Sequence, residues 1–135
     1  MLWRARQGDQ ALGSASLADY VYLAEGMAHL AAITQDAEDI AWRDTLIQQA
    51  WQRFYTPANG WRNSEKAIIP GIGDQAAQAD GALFSPTALL LRLSLQYPQA
   101  GLQDKVQQAL GQSRAATQQE PLWYATHLLA LLDAG

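Results

Sequence analysis

The feature that most constrains the fold is an alternation between two kinds of apolar stretch. Three segments, near residues 17–33, 87–97 and 121–132, carry apolar side chains around nearly the whole circumference of a helix. The two segments between them, near residues 38–55 and 102–115, have an apolar stripe on one side only. Because a helix that is apolar all round must be covered on several sides, the alternation predicts an inner layer of three helices and an outer layer of two.

Local signals predict where these helices begin and end. Ser16 precedes the first helix with Asp19 at capping-box spacing, and Ser85 followed by Pro86 is a typical helix start. Pro57 ends the second helix, because the residue before a proline avoids the α conformation. Short connections near Asp36 and Gln99 join the helices into antiparallel pairs. The predicted fold class is all-α, a partial toroid of about five helices in two and a half hairpins.

One long segment, from Pro57 to Ser85, has no helical period. Asn59-Gly60 is a turn signal, and Trp61 and Ile68-Ile69 are predicted to lie on short strands beside it. Loops of this length inside a compact domain are uncommon and are often functional.

Composition excludes several classes of function. The 135 residues suit a single domain, residues 1–135, and the absence of cysteine rules out disulfides, cysteine-ligated metals and thiol nucleophiles in this chain. A net charge of −4 without a basic cluster argues against nucleic acid as a partner. The longest apolar run, 88–95, is too short to cross a membrane, and the first ten residues lack the apolar core of a signal peptide, so cytoplasm is the expected location.

No metal or cofactor is expected from the motifs. Histidine and glutamate do not occur at metal-ligand spacing, and Gly71-x-Gly73 lacks the strand and helix of a phosphate-binding loop.

The candidate site lies at one end of the predicted inner layer. Its three helices are expected to run parallel, so their N-termini and the long loop meet at the same end. Two carboxylates there, Asp19 and Asp80, are candidate acid/base groups or ligands of sugar hydroxyls, since glycosidases use a pair of facing carboxylates. The candidate substrate-binding residues are Tyr20, Asp74, Ser85, Trp123 and Tyr124.

Each of these residues also has a structural interpretation. Asp19 would cap a helix, Asp80-Gly81 would shape a turn, and Tyr20 would belong to the core. His29 and His127 are interpreted as structural histidines.

The motifs along the chain are similar to those of a known family. The run Leu17-Ala18-Asp19-Tyr20-Val21-Tyr22-Leu23 followed by Glu25-Gly26, the Asn59-Gly60 turn, Asp80-Gly81-Ala82 and the apolar helix after Ser85 occur in the same order in thioredoxin-domain-containing proteins of the YyaL type, which include spermatogenesis-associated homologues. The resemblance implies the last hairpins of an (α/α)-barrel related to glycosidases and sugar 2-epimerases, without the thioredoxin-like domain. The family usually has Pro-Ser-Gly-Asn after Asp-Gly-Ala, and Phe84-Ser85-Pro86-Thr87 replaces it here.

Two functions remain open, and the residues do not decide whether the chain is an enzyme. The first is a non-catalytic helical module, or fragment of such a barrel protein, that serves assembly. The alternative is part of a carbohydrate-active barrel that binds a sugar at the loop end. The apolar end helices predict a homodimer, or docking to the rest of a parent chain, with Leu128, Leu129, Leu131 and Leu132 in the contact.

Overall fold

The structure, a computed structural model, describes residues 1–65 and 78–135. That part of the chain contains five α-helices and two short antiparallel hairpins. The helices are α1 (Leu17–Thr34), α2 (Ala37–Phe54), α3 (Pro86–Gln96), α4 (Gln103–Gln119) and α5 (Ala125–Asp133), with a 3-10 turn (Pro121–Tyr124) directly before α5. The strands are β1 (Trp3–Gln7) paired with β2 (Gln10–Ser14), and β3 (Tyr55–Thr56) paired with β4 (Gly60–Trp61). The predicted all-α class is confirmed.

The helices begin where the capping residues predicted. The Ser16 hydroxyl accepts from the backbone N–H of Asp19, and the Asp19 carboxylate accepts from the backbone N–H of Ser16 at 2.7 Å, which completes a capping box. Ser85 caps α3, with Pro86 as its first residue. The prediction for α4 ended at Ala115, whereas the helix continues to Gln119. It stops just before Pro121, because a proline cannot continue an α-helix.

The helices form the predicted two layers. In one layer α3 lies between α1 and α5; in the other, α2 packs on α1 and α3, and α4 packs on α3 and α5. A buried hydrogen bond ties the layers together, since the Trp51 indole N–H on α2 donates to the Ser94 hydroxyl on α3 at 2.8 Å. The two-residue link between α1 and α2 makes them an antiparallel hairpin.

An aromatic cluster fills the core at the end of α2. The rings of Trp51, Tyr55 and Trp61 lie 4.7–5.1 Å apart between centroids, and Tyr20 meets Phe54 edge-on at 5.5 Å. All five side chains are buried. Gly60 turns the chain between β3 and β4 with a φ of 70°, which confirms the predicted Asn59-Gly60 turn and the strand at Trp61. Ile68-Ile69 lies outside the described residues.

The β1–β2 hairpin was not predicted from the sequence. Its two-residue turn places Gly8 at a φ of 58°, and most of its side chains are exposed. In the described part of the chain, every helix is too short or too polar to traverse a lipid bilayer.

Candidate functional site

Three helix N-termini lie at one end of the layer formed by α1, α3 and α5. Near that end the Tyr22 hydroxyl of α1 donates to the Phe84 carbonyl oxygen, one residue before the cap of α3, at 2.8 Å. Near the other end the Arg92 guanidinium of α3 meets the Asp133 carboxylate of α5 at 2.6 Å. The three helices therefore run parallel, and Asp19, Ser85 and Thr126 occupy corresponding N-terminal positions.

Asp80 joins two of these N-termini. One carboxylate oxygen accepts from the backbone N–H of Ser85 at 2.9 Å and from the Thr126 hydroxyl at 2.5 Å, and the other accepts from the backbone N–H of Thr126 at 2.8 Å. Its own backbone N–H donates to the carbonyl oxygen of Trp123. Partial burial raises the pKa of Asp80, but the hydrogen bonds from Thr126 and Ser85 outweigh that effect and hold it below 3.8. Asp80 is thus an ionised bridge between the positive ends of α3 and α5.

His127 lies directly below this bridge and is completely buried. Its Nε2 atom is 3.0 Å from the Thr87 hydroxyl and 3.2 Å from the Ser85 hydroxyl, and its Nδ1 atom is 2.8 Å from the Ser113 hydroxyl of α4. A neutral imidazole needs one donor and one acceptor, and hydroxyl groups supply both. Burial lowers the pKa of His127 below its ordinary value of 6.5, against opposing effects of the Gln78 backbone and Asp80.

The Ser85–His127 pair has the spacing of a nucleophile and its base, but its surroundings differ from those of a catalytic pair. Ser85 is 1% exposed and His127 is 0% exposed, so no substrate reaches them in this conformation. The Ser85 hydroxyl caps α3 through the backbone N–H of Ala88. Among the described residues, a hydroxyl and not a carboxylate orients the imidazole through Nδ1. The arrangement holds α3, α4 and α5 together.

Asp19 is engaged in a separate local network. Besides closing the capping box, its carboxylate accepts from the Arg4 guanidinium of β1 at 3.3 Å. Partial burial raises the pKa of Asp19, but the hydrogen bonds from Ser16 and the charge of Arg4 together lower it by more, so the net shift is downward. The two candidate carboxylates lie at the same end of the layer, but Asp19 bonds to the start of α1 and to Arg4, whereas Asp80 bonds to the starts of α3 and α5.

The candidate substrate-binding residues that the structure describes lie in different environments and do not line one pocket. Tyr20 is 1% exposed and its hydroxyl accepts from the backbone N–H of Leu2, so it is a core residue. Ser85 is the buried cap described above, Trp123 is largely exposed, and Asp74 lies outside the described residues. Tyr124 lines an open groove of about 610 Å³ between the β3–β4 turn and α4. The other polar side chains along this groove are Asn59, Gln78, Gln112 and Gln119.

Two exposed apolar faces lie at the edges of the parallel layer. The α5 face consists of Leu128, Leu129 and Leu132, which are 43%, 45% and 67% exposed. The α1 face consists of Leu23, Leu30 and Ile33, which are 42%, 43% and 82% exposed. Of the leucines predicted for an α5 contact, Leu131 instead packs partly buried against the core. The sequence indicated that α1 is apolar all round, but it did not show which side remains exposed.

Comparison with family models, curated proteins and solved structures gives no match to this chain. The resemblance to the YyaL type therefore stays a prediction.

Proposed function

We propose that this chain is a non-catalytic helical module that acts by self-association through the apolar face of α5. The observation that carries the proposal is the exposure of Leu128, Leu129 and Leu132 on one side of a helix whose opposite side is packed. Exposed apolar patches with polar surroundings are often interaction sites.

The groups that could perform chemistry are engaged in structural contacts. Both oxygens of Asp80 bind helix N-termini, Asp19 closes a capping box, and His127 is buried among hydroxyls. A general acid or base has to reach the proton that it transfers. These three groups stabilise the helix ends and are therefore not free to act as an acid/base pair.

The family resemblance suggests which larger structure this helical module would belong to. A chain with these hairpins would form part of an (α/α)-barrel, and its exposed faces would then pack against neighbouring hairpins or against another copy. The cytoplasm is the compartment we propose, in agreement with the features of the sequence.

A carbohydrate-binding role is the alternative, and the groove beside Tyr124 favours it. Amide side chains next to an aromatic ring suit the hydroxyls and the apolar faces of a sugar. The groove is open, however, and neither Asp80 nor Asp19 lines it. Calorimetric titration with mono- and disaccharides tests this role, and sub-millimolar binding would favour it over assembly.

Sedimentation velocity across micromolar to millimolar concentrations tests self-association. We expect a concentration-dependent shift from 14.8 kDa to a species of twice that mass. Leu129→Glu should shift the equilibrium toward monomer and keep the helical circular dichroism signal, because Leu129 is only partly buried. Gln118→Glu, which adds the same charge at an exposed position of α4, is the control and should associate like the wild type. A single 14.8 kDa species at every concentration would refute the proposal.

A further inference from the structure

The two apolar faces lie at opposite edges of the layer of parallel helices. On α1, Tyr22 bonds to the chain before α3 and His29 lines the groove shared with α3. Leu23 and Leu30 follow these residues by one position each, which turns them about 100° around the helix and away from α3. On α5, Asp133 points to α3 and Leu131 lines a cleft with α4, so Leu128 and Leu132 face away from both. The layer thus has one apolar edge at α1 and another at α5.

The α5 edge of one copy can pack beside the α1 edge of another copy with all the helices running in the same direction. Within the layer α1 packs on α3, and α3 packs on α5, with all three helices parallel. Placing α5 of one copy beside α1 of a second copy repeats that parallel relation once more. An interface between two different faces is heterologous, and it forms a ring when the rotation closes.

Neither face carries a charge that would be buried without a partner. Between Leu23 and Ile33 the ionisable side chains are Glu25 and His29, both of which line the groove on the α3 side. On α5, His127 is buried and Asp133 is paired with Arg92. Depletion of charge is typical of the centre of an interface.

The exposed apolar area of the two faces favours a closed pair of copies, in which each copy uses both its α1 face and its α5 face. Taking on the order of 120 Å² for a fully exposed leucine, each face offers roughly 200 Å² of apolar surface. One contact between the faces then buries about 700 Å² in total if a little over half of it is apolar, which is small for a stable complex. Two such contacts in a closed pair bury about 1,400 Å², which lies within the range of stable interfaces.

We infer that copies of this chain associate head to tail, with the α5 face of one copy on the α1 face of the next. The inference rests on the proposed self-association and specifies its geometry. It differs from a direct contact between the two α5 helices, in which the α1 face would take no part; a closed head-to-tail pair is itself related by a twofold axis.

A complementation experiment separates the two geometries. Leu30→Glu damages only the α1 face, and Leu132→Glu damages only the α5 face. In a head-to-tail assembly each variant alone is monomeric, but a mixture retains one intact contact, between α5 of the first variant and α1 of the second. Because one contact is small, we expect the mixture to associate less tightly than the wild type but at least tenfold more tightly than either variant alone, measured by sedimentation with one variant carrying a fluorescent label.

The remaining outcomes overturn the inference in distinguishable ways. If Leu30→Glu associates like the wild type while Leu132→Glu is monomeric, the contact is between two α5 helices; the inference fails and the proposed function survives. If both variants are monomeric and the mixture is too, head-to-tail association is refuted. A wild type that is monomeric throughout refutes both the inference and the proposed function. Circular dichroism checks that the variants fold, and the milder pair Leu23→Gln and Leu132→Gln replaces any variant that does not.

Discussion

Replacement of Asp80 by asparagine decides whether this carboxylate has a structural or a functional role. The carboxylate accepts three hydrogen bonds, two from backbone N–H groups at the starts of α3 and α5 and one from the Thr126 hydroxyl. Asparagine keeps one acceptor oxygen and turns an N–H₂ group toward a donor. Hydrogen bonds to charged groups contribute about 1.5–3 kcal/mol each, and their losses are not additive, so we expect the free energy of unfolding to fall by about 2–4 kcal/mol.

Urea denaturation at pH 7 measures this loss. With a denaturant dependence of about 2 kcal/mol per molar, the midpoint should fall by roughly 1–2 M. Asp9→Asn is the matched control, because the Asp9 side chain is fully exposed in the β1–β2 turn, and its midpoint should stay that of the wild type.

The pH dependence gives a second readout of the Asp80 variant. The pKa of Asp80 is lowered in the folded chain, so its contribution is complete above 3.8 and is lost as the pH falls below that value. The difference between wild type and Asp80→Asn should therefore shrink below pH 3.8. An unchanged midpoint at pH 7 would refute the bridging role, and a raised one would indicate a carboxylate kept for function at a cost in stability.

Three further changes test other parts of the fold. Ser16→Ala should lower the free energy of unfolding by about 1 kcal/mol, because α1 loses its cap; a wild-type urea midpoint would contradict this. The lowered pKa of His127 means that the unfolded chain binds a proton first, so stability should fall as the pH drops below 6.5; this slope should persist in His29→Gln and vanish in His127→Gln. Trp51→Phe removes a buried hydrogen bond and should cost about 1–3 kcal/mol in thermal or urea unfolding, whereas Trp42→Phe, at an exposed position, should leave stability unchanged.

Local chemistry in the sequence predicted the five helices, except that α5 begins at Ala125 and not near Pro121, where a 3-10 turn lies instead. Ser16 and Ser85 cap α1 and α3 in the structure because a side-chain oxygen close to a helix start has few alternatives to bonding the free N–H groups. The start of α2 was predicted within one residue. The β1–β2 hairpin was missed because its strands lack an alternating apolar pattern, although Gly8-Asp9 is a two-residue turn signal that could have revealed it.

The sequence could predict at which end of the layer the candidate residues lie, but not which groups they bond. The parallel direction of the helices followed from their order in hairpins, and it places Asp19, Asp80 and Ser85 at one end. The partner of Asp80, Thr126, lies 46 residues away along the chain, and local spacing contains no information about that bond. His127 likewise takes its partners from α3 and α4, which only the packing of the helices brings together.

The orientation of α5 links the buried network to the proposed contact. An amphipathic helix normally turns its apolar side inward, but the fully packed positions of α5 are Thr126, His127 and Ala130, while Leu129 and Leu132 point outward. Rotating the leucines inward would break the bonds of Thr126 to Asp80 and those of His127 to its three hydroxyl neighbours. Each polar group left buried without a partner would cost about 1–3 kcal/mol. The residues that the sequence presents as a candidate site thus keep α5 in an orientation that leaves its leucines available to a second copy.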